Sequence, residues 1–540
     1  MVGKDLPNIA LVQINTTVGD LEGNARKILE SARESVRAGA RVVVFPELCL
    51  PGYPAEDLYL RSDFIEANAT AIERLAPELT GATFLVGYAE PAGPNDPGRP
   101  IAFNSAAVIE DGSITASYRK RLLPNYGVFD ERRTFLAGSE PVVVDVGGAR
   151  LGVTICEDCW EPNDPAVRDL APDATVISNL SASPYHRGKG AEREDIFRET
   201  AKREGIPVVV ANAVGGQDEL VFDGASVAID PEGVTLCRAP RFEEEILMVD
   251  WGKADATTPP DGDLAEVYAA LRVGLRDYVD KNGFEHVGVA LSGGIDSALV
   301  ALLAVDALGP DKVCVVLMPS PWSSPETPGD ARVLAANLGC ETLEYPIGGL
   351  MEGYEGLLGD DDRGLAAENI QARIRGNIMM ALSNSRGWLV LTTSNKSEAS
   401  VGYSTLYGDM AGGFAPIRDV PKGLVYELTE WRNCEGSPIP SGVLERPPTA
   451  ELRPGQLDQD SLPDYALLDE ILRLHIEGDL GPAEMAAQGL DPETIRQVVG
   501  LVDSAEYKRR QSPPGTRITT RGLGRDRRMP ITNRYRPGSS

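Results

Sequence analysis

Leu-Ser-Gly-Gly-Ile-Asp-Ser, residues 291–297, is the stretch whose reading decides the fold of this chain. The apolar run at 286–291 predicts a buried strand, and residues 296–308 predict an apolar helix that starts directly after the glycines. A strand that turns sharply into a helix offers free backbone N–H groups and the positive end of the helix dipole, which suits a phosphate. Gly293 and Gly294 let the backbone approach closely, and Ser292 and Ser297 add hydroxyl donors. Asp296 would repel a phosphate unless a cation lay between them, which argues for Mg²⁺. A bare Gly-Gly turn would be read as a tight connection with a serine cap; two serines and an acid around it are more specific. No Gly-Lys-Ser/Thr follows, so this is not a Walker loop, and the Gly-x-Gly-x-x-Gly of a dinucleotide-binding unit is absent.

Outward from that loop, the bulk numbers narrow the class. At 540 residues the chain is too long for a single core and implies two or three domains. A formal charge of −29 argues against a nucleic-acid partner. The longest apolar run, residues 298–305, is far short of the ~20 residues a membrane span needs. Residues 9–14 read as a first strand and not as a secretory leader, so the expectation is a cytoplasmic protein without a membrane partner. Seven scattered cysteines do not make a disulfide framework. His186, His286 and His475 are too far apart for a His-Glu-x-x-His zinc site.

Two α/β patterns are separated by a linker. In the first, strands are expected at 9–14, 42–45, 83–87, 151–155, 175–179 and 207–211, with helices at 24–38 and 191–204. Residues 252–263, centred on Asp-Ala-Thr-Thr-Pro-Pro-Asp-Gly, have linker composition and divide domain 1–251 from domain 264–540. Beyond it, strands at 287–291, 313–318, 342–346 and 388–392 alternate with helices, a rhythm that predicts a doubly wound parallel sheet. A long helix at 363–385 carries Arg373 and Arg375, which could meet an anion or face solvent. From residue 505 onward ten basic residues face two acids. That segment reads either as a disordered tail or as one whose first part, from Lys508 to Pro514, closes over a phosphorylated substrate; on the second reading Lys508→Ala weakens substrate binding, and truncation after Ile518 is expected to be milder than that unless the later arginines make subunit contacts.

In the first domain three stretches end strands or open loops: Pro46-Glu47 after 42–45, Lys120 after a hairpin, and Cys156-Glu-Asp-Cys-Trp160 after 151–155. A Glu, a Lys and a Cys suffice for amide hydrolysis. The carboxylate takes the thiol proton, the thiolate attacks, and the ammonium stabilises the oxyanion. Taken singly, a cysteine ending a strand is a small core residue and an isolated Glu or Lys is a surface group. Cys156 and Cys159 also form a Cys-x-x-Cys, but no second pair completes a metal site, and a redox pair would open a helix where this one closes a strand. In their contexts the three stretches resemble the nitrilase superfamily over about residues 8–250. The resemblance implies an αββα sandwich with Glu47 as general base, Lys120 as oxyanion stabiliser and Cys156 as nucleophile. It also implies that Tyr126, Ser183 and Lys189 hold a glutamine substrate, with Arg187 a second candidate for its carboxylate.

In the second domain, Ser-Gly-Gly-x-Asp-Ser resembles the pyrophosphate loop of the ATP pyrophosphatases. Downstream come Glu368 to Asn377, Thr393-Ser-Asn-Lys-Ser-Glu398, Tyr407-Gly-Asp409, Ala415 to Lys422, Pro448-Thr-Ala-Glu-Leu and Asp458 to Asp464. Their order and wording resemble the NAD⁺ synthetase family in its glutamine-dependent form. The resemblance implies ATP-dependent amidation of deamido-NAD⁺ with ammonia from glutamine, through an adenylated nicotinate, and a homo-oligomer. It assigns Ala290, Leu291, Ser292, Gly293, Gly294, Ile295, Asp296, Ser297, Thr393, Lys422 and Thr449 to ATP, Asp296 and Glu398 to Mg²⁺, and Asn377, Glu398 and Lys508 to deamido-NAD⁺. Leu406 and Gly413 stand where ammonia-dependent relatives place a Lys and an Asp near the nicotinate. Two rival readings are an amidotransferase with another acceptor and a binding protein with an inactive amidase. GMP synthetases share the loop but pair it with a Cys-His-Glu glutaminase, which is not visible here, and the presence of all three triad residues tells against an inactive amidase.

Overall fold

The computed structural model describes residues 6–93, 100–161, 165–252, 254, 263–324, 326–449, 451–453 and 455–535. Its chain divides into two compact units, Met1–Gly262 and Asp263–Ser540. Most of the expected linker, residues 253 and 255–262, lies outside the described residues.

Strict alternation in the strands of the first unit builds four layers. Ile9 and Leu11 face inward with Val42 and Val44, while Ala10, Val12 and Val43 face outward. One sheet runs in the order Glu245–Met248, Ile9–Gln13, Val42–Val44, Thr83–Pro91, Ala102–Glu110 and Ser113–Arg119, with Phe135–Leu136 beside Ala102–Glu110. The other runs Thr235–Arg238, Val227–Ile229, Val208–Asn212, Val176–Ser181, Ala149–Ile155 and Val143–Val146. Their inner faces share one core, in which Leu11, Val44, Leu85 and Val108 meet Leu151, Val153, Val176 and Val209. The outer faces are covered by helices. Ile28 and Ile72 pack on the first sheet, and Val167, Phe197 and Ala201 on the second. This is the αββα sandwich.

Two boundaries differ from the sequence reading for local reasons. The first helix, Leu21–Arg37, begins earlier than residue 24 because Asp20 caps it, accepting the Gly23 N–H at 2.9 Å. Lys189–Glu204 starts at Lys189, where Gly188 takes a left-handed φ of +88°. Lys189 is thereby held on the first turn of a helix.

The second unit is built on a four-stranded parallel sheet ordered Glu341–Glu344, Val313–Leu317, Val287–Ala290, Leu389–Leu391. Strand Val287–Ala290 has a neighbour on each side, so the chain reverses its winding there, the place where open α/β sheets bind ligands. Residues 291–297 leave this strand and enter helix Ile295–Leu308. A helical layer formed by Lys396–Val401, Tyr465–Leu472 and Pro492–Ser504 packs around Leu468, Ile471, Ile495 and Val498. No helix among the described residues is long and apolar enough to cross a membrane.

The carboxy-terminal segment is folded onto its own unit and is not a disordered tail. Thr516, Arg517, Ile518, Asp526 and Arg527 are buried. Arg517 donates to Asp526, Arg509 pairs with Glu506 at 2.9 Å, and the Thr519 hydroxyl donates to Asp419 at 2.7 Å. Arg509 and Arg517 thus find carboxylates within their own unit, as the side chains of a disordered tail would not.

Candidate active sites

In the first unit Glu47 follows strand Val42–Val44, Lys120 follows Ser113–Arg119, and Cys156 follows Ala149–Ile155. The backbone bearing Glu47 crosses Gly87 so closely that a Cβ there would lie 2.3 Å from the Leu48 nitrogen and the Pro46 oxygen. Only glycine fits at that crossing.

Glu47 and Lys120 are almost completely buried. Lys120 Nζ donates to Glu47 Oε1 at 2.7 Å and to Glu131 Oε1 at 2.9 Å. Asn104 Nδ2 donates to the same Glu47 oxygen at 2.7 Å, and the Ala182 N–H donates to Oε2 at 3.0 Å. Burial alone would lower Lys120, but Glu131 and then Glu47 hold its ammonium well above the usual lysine range. Burial pushes Glu131 up to about 7, with Lys120 opposing and the charge of Glu47 adding to the rise. Burial and the negative charge of Glu47 push the Cys156 thiol well above its ordinary value, with Lys120 opposing. Cys156 therefore rests as a thiol and needs a base at the moment of attack. It also holds a left-handed φ of +42°, which marks a tight turn at the strand end.

Glu131 had no role in the sequence reading. It opens a four-residue helix, Glu131–Thr134, is buried, and accepts from Tyr53 at 3.1 Å as well as from Lys120. In sequence it looks like one more acid in Asp-Glu-Arg-Arg; only its position past a loop anchored on Lys120 hints otherwise.

The three residues expected at glutamine have different settings. The Tyr126 hydroxyl donates to Glu157 Oε1 and Oε2 at 2.9 and 3.0 Å from an exposed ring. Ser183 is buried, and its N–H donates to Asn212 Oδ1 at 3.0 Å. Lys189 Nζ lies 4.0 Å from the centre of the Trp160 ring and 3.1 Å from Glu192, and burial lowers its pKa. Tyr126 and Lys189 both lie within electrostatic reach of Cys156. Cys159 points away into the core, 3.3 Å from both Thr154 Oγ1 and Asn179 Nδ2.

In the second unit the loop ties itself shut. Ser297 Oγ accepts the Ser292 N–H at 3.2 Å and donates to the Gly294 carbonyl at 2.9 Å, and Ser292 Oγ accepts the Gly294 N–H at 3.2 Å. Gly293, at φ +87°, passes the Thr327 carbonyl so closely that a Cβ would lie 2.4 Å from its oxygen. Arg446 donates to the Gly293 carbonyl at 3.2 Å. Beside it, Arg446, Thr449, Glu451 and Trp322 line a cavity of about 420 Å³.

Lys422 Nζ donates to Asp296 Oδ2 at 2.5 Å and to Glu398 Oε1 at 3.1 Å. A cation thus already accompanies Asp296, which supplies part of what the sequence argument asked of a metal. Asn395, unremarked in sequence, is fully buried; its side chain donates to Asp296 Oδ1 at 2.8 Å and accepts the Glu398 N–H at 2.9 Å, so one amide orients the Asp296 carboxylate and the backbone that bears Glu398. Burial, with Asp296 second among the groups raising it, pushes Glu398 up to about 7 against the pull of Lys422. Two carboxylates are hard-oxygen donors of the kind Mg²⁺ takes, so Asp296 and Glu398 fit that ion. Among the described residues no group of three or more His, Cys, Asp or Glu side chains forms a metal cluster.

The remaining assignments are scattered. Thr393 lies just past strand Leu389–Leu391, while Asn377 is exposed on helix Leu365–Arg386. The Lys508 ammonium donates to the carbonyls of Gly402 at 2.8 Å and Ser404 at 2.7 Å. Arg373 and Arg375 each bond a backbone carbonyl, of Leu406 and Met318. A Cβ at Gly413 would lie 2.4 Å from Leu389 Cδ1, the movable tip of a leucine side chain.

A buried acid–lysine–thiol cluster on an αββα sandwich, joined in one chain to a phosphate loop on a parallel sheet, defines an amidohydrolase fused to a nucleotide-dependent ligase. Residues 8–258 match the carbon-nitrogen hydrolase family and residues 267–512 match NAD synthase. Over 98% of its length the chain is 46% identical to a glutamine-dependent NAD⁺ synthetase of Thermotoga maritima and 43% identical to one of Aquifex aeolicus, covering 99% of each. The solved glutamine-dependent NAD⁺ synthetase of Acinetobacter baumannii, in complex with ADP, superposes with a TM-score of 0.78 at 39% identity, covering 98% of both chains. The chain belongs to the glutamine-dependent NAD⁺ synthetase family.

Proposed function

We propose that the two sites divide the reaction of this family, ATP-dependent amidation of deamido-NAD⁺ with nitrogen taken from glutamine. The observation that carries the division is that one chain holds both the sealed Glu47–Lys120–Cys156 cluster and the Ser292–Ser297 loop faced by Lys422. Tyr126, Ser183 and Lys189 hold glutamine. Glu47 takes the Cys156 proton, the sulfur attacks the side-chain amide carbon, and the Lys120 ammonium stabilises the oxyanion. Glu47 then gives its proton to the departing nitrogen, and a water frees glutamate from the thioester. In the second unit the nicotinate carboxylate attacks the α-phosphorus of ATP and pyrophosphate leaves; ammonia then attacks the acyl carbon and AMP leaves. The 290–297 loop, Thr393, Thr449 and Lys422 hold the nucleotide, and Asn377, Glu398 and Lys508 face deamido-NAD⁺. Mg²⁺, held by Asp296 and Glu398, would add charge neutralisation of the phosphates.

Purified protein given ATP, Mg²⁺ and glutamine, with deamido-NAD⁺ or XMP as acceptor, should form NAD⁺, AMP and glutamate only with deamido-NAD⁺. Amidation of XMP, or glutamate release without NAD⁺, would reject the reading. The partner we propose is a second copy of the chain. Leu350, Tyr354, Leu357 and Leu358 share an exposed face of helix Gly348–Leu358, which buries no residue, and a self-contact between molecules of charge −29 has to be apolar. Sedimentation of Leu357→Glu against wild type tests this, and an unchanged mass would reject the face. All seven cysteines are free, which supports a cytoplasmic setting.

A further inference from the structure

Asp158 has no part in the chemistry above, yet it is fully buried two residues beyond the nucleophile and its carboxylate accepts from four donors. Oδ1 accepts the backbone N–H of Arg121 at 3.1 Å and of Leu122 at 2.9 Å. Oδ2 accepts the Ile155 N–H at 3.0 Å and the Tyr118 hydroxyl at 2.8 Å. Arg121 and Leu122 directly follow Lys120, and Tyr118 lies two residues before it on strand Ser113–Arg119. Ile155 directly precedes Cys156 on strand Ala149–Ile155. One carboxylate thus joins the segment bearing the oxyanion lysine, at the end of one sheet, to the turn bearing the nucleophile, at the end of the other.

We propose that Asp158 is the positioning residue that sets the reach of Lys120 toward Cys156. The turn it braces needs bracing: Cys156 sits at φ +42°, a left-handed conformation that is strained for a non-glycine residue. Lys120 directly follows its strand, so while Glu47 and Glu131 hold its ammonium, the root of its side chain is placed by the backbone that Asp158 ties down. Four donors and no acceptor surround Asp158, which fits an ionised carboxylate even though burial pushes it up to about 6. An amide there cannot take all four, because its NH₂ would meet a donor. The proposal rests on the roles given to Lys120 and Cys156.

The test uses the full-length chain with Asp158→Asn and Tyr118→Phe, and Cys156→Ala in parallel. Glutaminase kcat should fall about a hundredfold in Asp158→Asn, because an oxyanion donor is displaced. The KM for glutamine should stay within about threefold, since Tyr126, Ser183 and Lys189 are untouched, and NAD⁺ synthesis from ammonium should be unchanged. Tyr118→Phe removes one donor of four and should lower kcat by only about three- to tenfold. A wild-type kcat in Asp158→Asn would overturn the proposal, and so would a rise in KM that accounts for the whole loss. Should Asp158→Asn fail to fold, Tyr118→Phe decides: a folded variant with wild-type kcat overturns the proposal. Glutaminase activity surviving in Cys156→Ala would instead overturn the underlying assignment, whatever Asp158 does.

Discussion

Both units gather two carboxylates about one lysine ammonium, and the two trios differ in how they are closed. Around Lys120 the side chains of Glu47 and Glu131 are 1% and 4% exposed; around Lys422 those of Asp296 and Glu398 are 18% exposed each. Each trio carries one surplus negative charge, which is costly to bury. The sealed trio can shed it only by taking up a proton, and Glu131, pushed up to about 7, is the group poised to do so. The open trio can shed it to a cation that arrives with the substrate's phosphates. Glu398 is likewise pushed up to about 7, so on the roles proposed above it is the difference in exposure that suits the closed trio to proton transfer and the open one to phosphate handling.

The largest expected effect separates the two. Cys156→Ala should lower glutamine-dependent NAD⁺ synthesis by more than about a thousandfold, the scale on which loss of a nucleophile is felt. Synthesis from ammonium should stay within about twofold. Equal loss from both nitrogen sources would mean that the two trios are not independent.

Next in size is a cut after Ile518, which the sequence reading expected to be milder than Lys508→Ala. The buried Lys396 ammonium donates to Thr519 Oγ1 at 2.6 Å and to the Arg521 carbonyl at 3.1 Å, and pairs with Glu477 at 2.9 Å. Lys396 adjoins Asn395, the residue that orients Asp296 and the backbone that bears Glu398. The cut strips two partners from a buried ammonium, each worth about 1–3 kcal/mol, and loosens the open trio. Ammonium-driven synthesis should fall by at least about tenfold with glutaminase activity retained; a variant matching wild type would show that the tail does not support this site.

The third prediction sharpens the sealed side. As pH falls through about 7, Glu131 gains a proton and ceases to balance Lys120, which then draws harder on Glu47 and weakens it as a base. Glutaminase kcat/KM should therefore decline on the acid side of pH 7. Glu131→Gln should cost about tenfold at pH 8 and remove that acid limb. A limb that persists unshifted in the variant would assign the titration to another group.

What could be read from sequence followed locality. The runs at 42–45, 151–155 and 287–291 give strands because their apolar residues need no distant partner to declare themselves, and Ser292 to Ser297 is a contiguous motif. Glu131, Asp158 and Asn395 could not be read, because each has a partner at a distance in sequence, 11, 36 and 99 positions away, set by sheet stacking and loop closure. The tail misled for the same reason. Ten basic residues look solvated in sequence until Glu506 and Asp526 are seen to pair Arg509 and Arg517.

The smallest effect tests whether the sealed cluster includes the second thiol of Cys156-Glu-Asp-Cys159. Cys159 is 2% exposed, and burial, as the largest cause, pushes its thiol up to about 12, so it offers no thiolate to a metal or a disulfide at neutral pH. Its neighbour Asn179 donates to Thr154 Oγ1 at 3.1 Å and to the Cys156 carbonyl at 3.3 Å besides meeting the sulfur, so the amide keeps two partners when the sulfur goes. Cys159→Ala should then cost only the packing of one sulfur, about 1 kcal/mol, seen as a thermal midpoint lower by a few degrees. Glutaminase turnover should stay within about twofold, because Cys156 retains Glu47 and Lys120. Zinc released on substitution, or a turnover loss as large as that of Cys156→Ala, would place Cys159 inside the reactive cluster and make the pair, not the single thiol, the functional unit.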